Sequence, residues 1–145
     1  MEGNPQMKQQ IRFCTARDGV RIAFATAGEG PPLVRVNNWF THLELDWVNP
    51  VWRHWWEALT DRRMLVRYDP RGSGLSDRDP ADVSLDALVS DRTAVVDALG
   101  LARFPLIGLC QGGAIAIAYA ARPRRRALHL PRPLQSDPAA RPPTQ

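Results

Sequence analysis

The chain has 145 residues, a hydrophobic fraction of 44% and a formal net charge of +4. This length and apolar content allow a single globular domain with a hydrophobic core. Residues 122–145 contain six arginines and one aspartate, so residues 1–121 carry a net charge of −1. A near-neutral body excludes the basic surface that is typical of nucleic-acid-binding domains.

Residues 1–10 are polar and are expected to form a flexible N-terminus rather than a leader, because they contain no apolar segment. No stretch of the sequence has the length of an apolar transmembrane span, so no membrane partner is expected. Two cysteines, Cys14 and Cys110, do not indicate a disulfide framework. These features predict a cytoplasmic protein.

The first predicted element is a β-hairpin. Ile11 to Ala16 alternates apolar and polar residues, Asp18-Gly19 supplies a turn, and Val20 to Ala27 forms the second strand. Cys14 lies on the polar phase of this predicted edge strand and is interpreted as a structural residue. A short apolar strand, Leu33 to Val36, follows and ends at Asn37-Asn38-Trp39.

All five tryptophans occur between positions 39 and 56. Val51 to Thr60 is predicted to be a helix that begins near Pro50. Its apolar positions have i, i+3, i+4 and i+7 spacing and are expected to pack on a sheet; they are Trp52, Trp55, Trp56 and Leu59. Trp39 and Trp47 lie outside this face and could line a pocket. His42 and His54 lack the spaced partners of a metal site.

Met64 to Tyr68 is predicted to be a strand, and a glycine-rich turn from Asp69 to Asp77 follows it. This turn lacks the third glycine of G-x-G-x-x-G and a following Lys-Ser/Thr pair, so no nucleotide site is expected. Ser84 is a suitable N-cap for a helix that stops at Gly100. A strand from Phe104 to Leu109 and a helix from Gly112 to Ala121 complete an open α/β sheet.

The junction of these last two elements has the sequence Gly108-Leu109-Cys110-Gln111-Gly112. Small residues two before and two after a nucleophile are what a strained strand-to-helix turn requires, so the pattern indicates a nucleophile elbow. The backbone N–H of Gln111 would then lie beside the sulfur, where it could stabilise an oxyanion. The alternative is a buried cysteine that fills a gap between strand and helix.

The order of elements and two motifs resemble the α/β-hydrolase fold family from about Ile11 to Ala121. The motifs are the turn Asp69-x-Arg71-Gly72-x-Gly74-x-Ser76 and the junction around Cys110. The resemblance implies a partial α/β-hydrolase fold with about five strands and three helices. The stretch from Ile11 through Trp56 is especially similar to hydrolase-like domains of some bacterial adenylate cyclases and transcriptional regulators. The run Cys110-Gln111-Gly112-Gly113 also resembles polyhydroxyalkanoate synthases.

The resemblance implies that Cys110 is the nucleophile, that Gly108 and Gly112 are the elbow glycines, and that Gln111 provides one oxyanion N–H. The second N–H would come from Trp39, in a loop where Asn37-Asn38 replaces the family's usual His-Gly. Asn37 and Asn38 are therefore pocket candidates, in addition to Trp47, which lies outside the packed helix face. Most family members carry serine at the position of Cys110. Neither a cofactor nor a metal is implied.

The resemblance implies that the catalytic acid and histidine follow the nucleophile, on loops after later strands. After Ala121 the only histidine is His129, which lies in a segment with six prolines and six arginines and is not expected to be the base. We expect residues 122–145 to be a disordered tail, and we predict that residues from about Arg122 onward are a frameshift or truncation product, which the other reading frames of the gene would test. The strand before Cys110 would then be an exposed sheet edge, open to non-specific association.

The favoured function is therefore hydrolysis of a small-molecule ester or thioester through Cys110 in a full-length form, with this chain itself inactive. Two alternatives stay open. One is a non-catalytic, ligand-sensing module of a signalling protein. The other is an acyltransferase of the polyhydroxyalkanoate synthase type.

Overall fold

A computed structural model describes residues 7–36 and 40–122. The described residues form five strands and four helices. In chain order these are β1 (Gln9–Thr15), β2 (Arg21–Ala27), β3 (Pro32–Val36), α1 (Leu43–Val48), α2 (Pro50–Thr60), β4 (Met64–Tyr68), α3 (Leu85–Ala98), β5 (Leu106–Gly108) and α4 (Gln111–Ala120).

The strands form one mixed sheet in the order β1-β2-β4-β3-β5. β1 and β2 pair antiparallel, as the predicted hairpin requires, and β2 pairs antiparallel with β4. β3 pairs in parallel with β4 on one side and with β5 on the other. The crossovers predicted from the alternation of strands and helices are therefore present, and β5 lies at one edge of the sheet.

Alternation along the strands gives the sheet two buried faces. On one face, Val34 and Val66 belong to the larger core cluster, which α3 and α4 cover through residues such as Val95 and Ile115. On the opposite face, the neighbouring residues of the same strands pack beneath α1 and α2, as Leu33, Leu65 and Trp56 show. Burial on both faces explains why these strands are continuously apolar.

The hairpin differs from the prediction in the direction of Cys14. This side chain is half-buried and packs against the larger core cluster, so it does not lie on the polar phase of β1. Phe13 is instead 42% exposed, with the guanidinium of Arg21 3.9 Å from its ring centroid. The prediction assigned the buried side of β1 to Phe13 because phenylalanine is apolar, but in the structure an arginine covers this exposed ring and the opposite side of the strand is the buried one.

Helix α2 begins at Pro50, as predicted, and the Asn49 side chain caps it by accepting a hydrogen bond from the Val51 N–H at 2.9 Å. Trp56 is buried, but Trp55 is 40% exposed and so departs from the predicted packed face.

The short helix α1 is absent from the prediction. Its N-cap is His42, whose Nδ1 accepts a hydrogen bond from the Leu45 N–H at 3.3 Å. Histidine is not among the residues that mark helix starts in sequence, so this helix gives no usual start signal.

Asp69 organises the turn after β4. It is fully buried, and its Oδ1 accepts a hydrogen bond from the Thr41 hydroxyl at 2.8 Å. Its Oδ2 accepts from the N–H groups of Leu43 at 3.1 Å and Leu75 at 2.9 Å. Gly74 has φ 52°, and a Cβ there would collide with the Asp69 carboxylate. The motif therefore joins the β3–α1 loop to the β4–α3 turn.

Arg71 connects the same turn to two further elements. Its Nε and Nη2 bind Asp91 of α3, at 2.9 and 2.7 Å from Oδ1, and its Nη1 lies 2.6 Å from Oδ2 of Asp18 in the hairpin turn. Although burial opposes the charge, these hydrogen bonds raise the pKa of Arg71. The hydrogen bond from Arg71 likewise lowers the pKa of Asp18. The motif thus has a structural role here.

Helix α3 has the predicted ends, with the Ser84 hydroxyl accepting from the Ala87 N–H at 3.2 Å and Gly100 in the left-handed region at φ 64°. Strand β5 is shorter than predicted. Only Leu106 to Gly108 pair with β3, whereas the prediction extended from Phe104 to Leu109.

Candidate active site at the turn between β5 and α4

Cys110 is the second residue after the end of β5 and directly precedes Gln111, the first residue of α4. Its backbone has φ 53° and ψ −123°, and its side chain is exposed and makes no capping hydrogen bond. Positive φ is uncommon for a residue with a Cβ, and such conformations are retained where the surrounding structure imposes them. The backbone here turns sharply and presents the sulfur to solvent.

Gly108 allows the strand and the helix to approach each other at this turn. A Cβ at Gly108 would lie 2.6 Å from the carbonyl oxygen of Gly112, closer than real Cβ contacts occur. By contrast, the nearest atom to a Cβ at Gly113 would be 3.9 Å away. Gly112 itself is buried. The two glycines flanking Cys110 thus lie at the closest contact between β5 and α4.

Gln111 is the first residue of α4, so its N–H has no acceptor within the helix. The next two N–H groups close the turn, since Gly112 donates to Leu109 O at 2.9 Å and Gly113 donates to Cys110 O at 3.0 Å. The positive end of a ten-residue helix therefore lies directly beside the exposed sulfur. This arrangement can stabilise negative charge on the sulfur or on an atom bound to it.

The loop expected to carry the second oxyanion donor, with Asn37, Asn38 and Trp39, lies outside the described residues. What the structure describes is the strand before it. β3 ends at Val36, which is the register partner of Gly108, so β3 and β5 end at the same edge of the sheet. The assignments of Asn37, Asn38 and Trp39 stay predictions.

An apolar groove lies beside the turn, on the face of the sheet that α2 covers. Its lining residues come from β3, α2, β5 and the position before Cys110; they are Arg35, Trp52, Trp55, Trp56, Leu59, Ile107 and Leu109. Sequence reasoning missed Trp55, which it assigned to a packed face, and Arg35. The signal for Arg35 was a charged residue inside the apolar strand Leu33-Val34-Arg35-Val36.

Trp47, a predicted pocket residue, does not line this groove. Its ring stacks on Trp56 with the centroids 6.3 Å apart, and its indole N–H donates to the Met7 carbonyl at 3.3 Å. Trp47 thus packs in the smaller aromatic core beneath α2.

Two histidines fall within the described ranges, and both make contacts with residues other than Cys110. His42 caps α1, and the His54 ring contacts Trp55 with the centroids 6.2 Å apart. His129 lies outside the described residues. Residues 7–36 and 40–122 contain no group of three or more His, Cys, Asp or Glu side chains that could hold a metal ion. Across the same ranges, no helix has the length and apolarity needed to cross a membrane.

Cys14 differs chemically from Cys110. It is half-buried, and burial, reinforced by the charges of Asp91 and Asp97, raises the pKa of the Cys14 thiol to about 11. A neutral thiol in the core is unreactive. Cys14 is therefore a structural residue, as the sequence suggests.

Comparison with known proteins identifies one family. The sequence pattern described as the alpha/beta hydrolase fold matches residues 36–131, which is more than half of the chain. The chain is 31% identical over 128 residues to the 2-hydroxymuconate semialdehyde hydrolase of Pseudomonas sp. strain CF600, covering 87% of this chain and 44% of that protein. It is 35% identical over 101 residues to epoxide hydrolase 4 of Mus musculus, covering 68% of this chain and 27% of that protein.

Among solved structures, a hydrolase from Pseudomonas aeruginosa superposes with a TM-score of 0.68 at 29% identity. The superposition covers 87% of this chain and 44% of that one. The chain thus spans less than half the length of the relatives that it matches.

Proposed function

Because the chain belongs to the α/β-hydrolase fold family, of which it contains the N-terminal portion, we propose that Cys110 is the nucleophile position of an acyl hydrolase. The observation that carries this proposal is the backbone of Cys110 at φ 53°, which exposes the sulfur at the N-terminus of α4. A buried, gap-filling cysteine would need neither the exposure nor the positive φ.

In the proposed reaction, the Cys110 sulfur attacks the carbonyl carbon of a small ester or thioester, and its proton passes to a base. The tetrahedral oxyanion accepts hydrogen bonds from the Gln111 N–H and from the predicted second donor, the Trp39 N–H. Its collapse expels the alcohol or thiol and leaves an acyl group on Cys110. Water then attacks this thioester, releasing the acid and restoring the thiol.

The second half of this cycle needs a base that activates water. In this family the acid and the histidine follow the nucleophile on loops after later strands, and the only histidine after Ala121, His129, is not expected to be the base. We therefore expect the 145-residue chain to accept an acyl group slowly from an activated ester without turning over, because no assigned base activates the water that would hydrolyse the acyl-Cys110 thioester.

The test is incubation of the chain with p-nitrophenyl acetate, following p-nitrophenolate release and the mass of the protein. The expected result is one slow acetylation at Cys110 with no sustained release. Cys14→Ser is the matched control and should behave as the unchanged chain does, because Cys14 is a protonated core thiol. Cys110→Ala should abolish the acetylation.

One outcome would contradict the expected lack of turnover, and another would contradict the proposal itself. Sustained release that Cys110→Ala abolishes would show that the chain already contains a working base. Failure of Cys110 to acetylate faster than a free thiol peptide would favour a non-catalytic, ligand-binding module.

A further inference from the structure

Strand β1 forms the sheet edge opposite to β5, and it pairs with β2 alone among the described strands. Its seven residues run against β2 in unbroken register and include no proline or glycine. Bulges, prolines, charged side chains and short length are the features that keep sheet edges from pairing with other strands. Arg12 is the one charged residue of β1. This edge is therefore open to a further strand.

The direction of the backbone groups of β1 follows from the hydrogen bonds that β2 makes. Phe13 has Ala23 as its register partner in β2. The Ala23 N–H donates to Ser76 Oγ at 2.8 Å, and the Ala23 C=O accepts from the Asp69 N–H at 3.0 Å. Because these groups of Ala23 point away from β1, those of Phe13 point toward the outer edge. Every second residue of β1 shares this direction; these residues are Gln9, Ile11, Phe13 and Thr15.

The side chains along this edge are accessible as well. Phe13 is 42% exposed, and the guanidinium of Arg21 lies 3.9 Å from its ring centroid. Thr15 is exposed on the same side of the strand, whereas Ile11 is half-buried against a small core cluster. An exposed aromatic ring on an open strand edge is a surface that a second strand can cover.

We propose that β1 pairs antiparallel with β1 of a second copy of this chain, in the register that places Phe13 opposite its own counterpart. In this register Ile11 lies opposite Thr15 of the second copy. All three residues point their backbone groups outward, so they exchange N–H to C=O hydrogen bonds across the interface. The two five-stranded sheets then form one continuous sheet. The inference is independent of the reactivity of Cys110.

Charge complementarity supports a second copy as the occupant. Lys8 is exposed one residue before β1, and Asp18 lies in the turn after it. In the proposed register, Lys8 is opposite Asp18 of the second copy, and the two-fold symmetry forms this pair twice. The Asp18 side chain is 44% exposed although it binds Arg71, so it remains accessible to a second cation. Opposite charges that face each other across antiparallel strands are stabilising.

The neighbouring symmetric registers lack this complementarity. A register centred on Arg12 places two arginines directly opposite each other, which is destabilising. A register centred on Cys14 brings no opposite charges face to face. Pairing of β1 with β5 of another copy would use only three residues of β5 and would leave further edges open. The register centred on Phe13 is therefore the one that satisfies both the backbone and the charges.

Light scattering after size-exclusion chromatography tests the pairing in the 145-residue chain. Over a dilution series, the unchanged chain should pass from twice the monomer mass to the monomer mass. Phe13→Lys should lower the association constant at least about tenfold, because two ammonium groups would replace the facing rings. Val51→Lys is the matched control, since Val51 is 65% exposed on α2. It should associate as the unchanged chain does.

Substitution of Lys8 tests the charge pairs. Lys8→Glu should weaken association about tenfold, because two attractive pairs become repulsive. Lys8→Arg is the matched control and should retain the affinity. Added salt should reduce the difference between the two variants, because these charges are exposed to solvent.

Disulfide cross-linking tests the register. The background is Cys110→Ala, which removes the exposed native thiol. With diamide as the oxidant, Phe13→Cys should give a covalent dimer, because the Cα atoms of a hydrogen-bonded pair lie about 5.5 Å apart, a distance that a disulfide spans. Thr15→Cys is the matched control and should not link to itself, because Ile11 of the second copy lies opposite it.

The proposal is overturned if the chain stays monomeric up to its solubility limit, or if Phe13→Lys and Val51→Lys associate equally. The second result would mean that another surface, such as the edge of β5, makes the contact. Equal linking of Thr15→Cys and Phe13→Cys, or linking through the native Cys14, would likewise overturn the proposed register.

Discussion

At the residue scale, the two cysteines show how environment decides the chemistry of identical side chains. Cys110 is exposed at the start of a helix, with a backbone conformation that few residues with a Cβ adopt. Cys14 packs against the larger core cluster, where burial raises its pKa to about 11. The first thiol is accessible to an electrophile, and the second is held protonated in the core.

This contrast predicts selective alkylation. With iodoacetamide at pH 8, Cys110 should react at least about tenfold faster than Cys14, because only the thiolate reacts and Cys14 stays protonated until the pH approaches 11. Peptide mapping by mass spectrometry measures both rates in one sample. Raising the pH should increase the Cys14 rate, and unfolding in urea should remove the difference. Equal rates in the folded chain would contradict the placement of Cys14.

At the element scale, the turn around Cys110 depends on how closely β5 approaches α4. Gly108 lies against the backbone of Gly112, and neither backbone segment can yield without shifting the strand or the helix. Gly113, one position further along α4, has no comparably close neighbour. Two glycines only five positions apart therefore have different structural roles, which spacing in the sequence does not distinguish.

Substitution by alanine separates these roles. Gly108→Ala should lower the free energy of unfolding by about 1–3 kcal/mol through overpacking. Gly113→Ala, the matched control, should change it little or raise it by up to about 1 kcal/mol, because alanine favours a helix. Urea unfolding followed by tryptophan fluorescence measures both values. A Gly108→Ala chain as stable as the unchanged one would show that β5 and α4 are not in contact.

At the scale of the whole molecule, the strands of the sheet differ in how many neighbouring strands and helices they contact. β2, β4 and β3 lie inside the sheet with strands on both sides and helices on both faces. β5 has three residues, all half-buried, and pairs with β3 alone among the described strands. Local stability should follow this difference, because buried contacts and paired backbone groups set the free energy of local opening.

Hydrogen exchange followed by mass spectrometry should therefore show the slowest exchange in β2, β3 and β4, and exchange at least about tenfold faster in β5. Edge strand β1 is the internal control, since it also has one neighbour but pairs along seven residues. Protection of β5 equal to that of β4 would mean that another segment or another chain covers its outer edge.

The sequence alone determined the strands and helices with strong local signals. Met64 to Tyr68, the start of α2 at Pro50 and the end of α3 at Gly100 all have the predicted positions. Each depends on chemistry within a few residues, such as an apolar run, a fixed φ at proline or a left-handed glycine. The two motifs also sufficed to predict the α/β-hydrolase fold, which the family match confirms.

Tertiary structure alone decided which side chains meet. Trp55 and Trp56 are adjacent in a helix of uniform apolar spacing, yet Trp55 is exposed beside the groove and Trp56 is buried against two arginines. The meeting of Arg35 and Arg67 at one ring depends on the pairing of β3 with β4, strands separated by two helices in the chain. Local sequence determines periodicity, whereas strand order and register determine neighbours, because contacts distant in the chain form only when the sheet assembles.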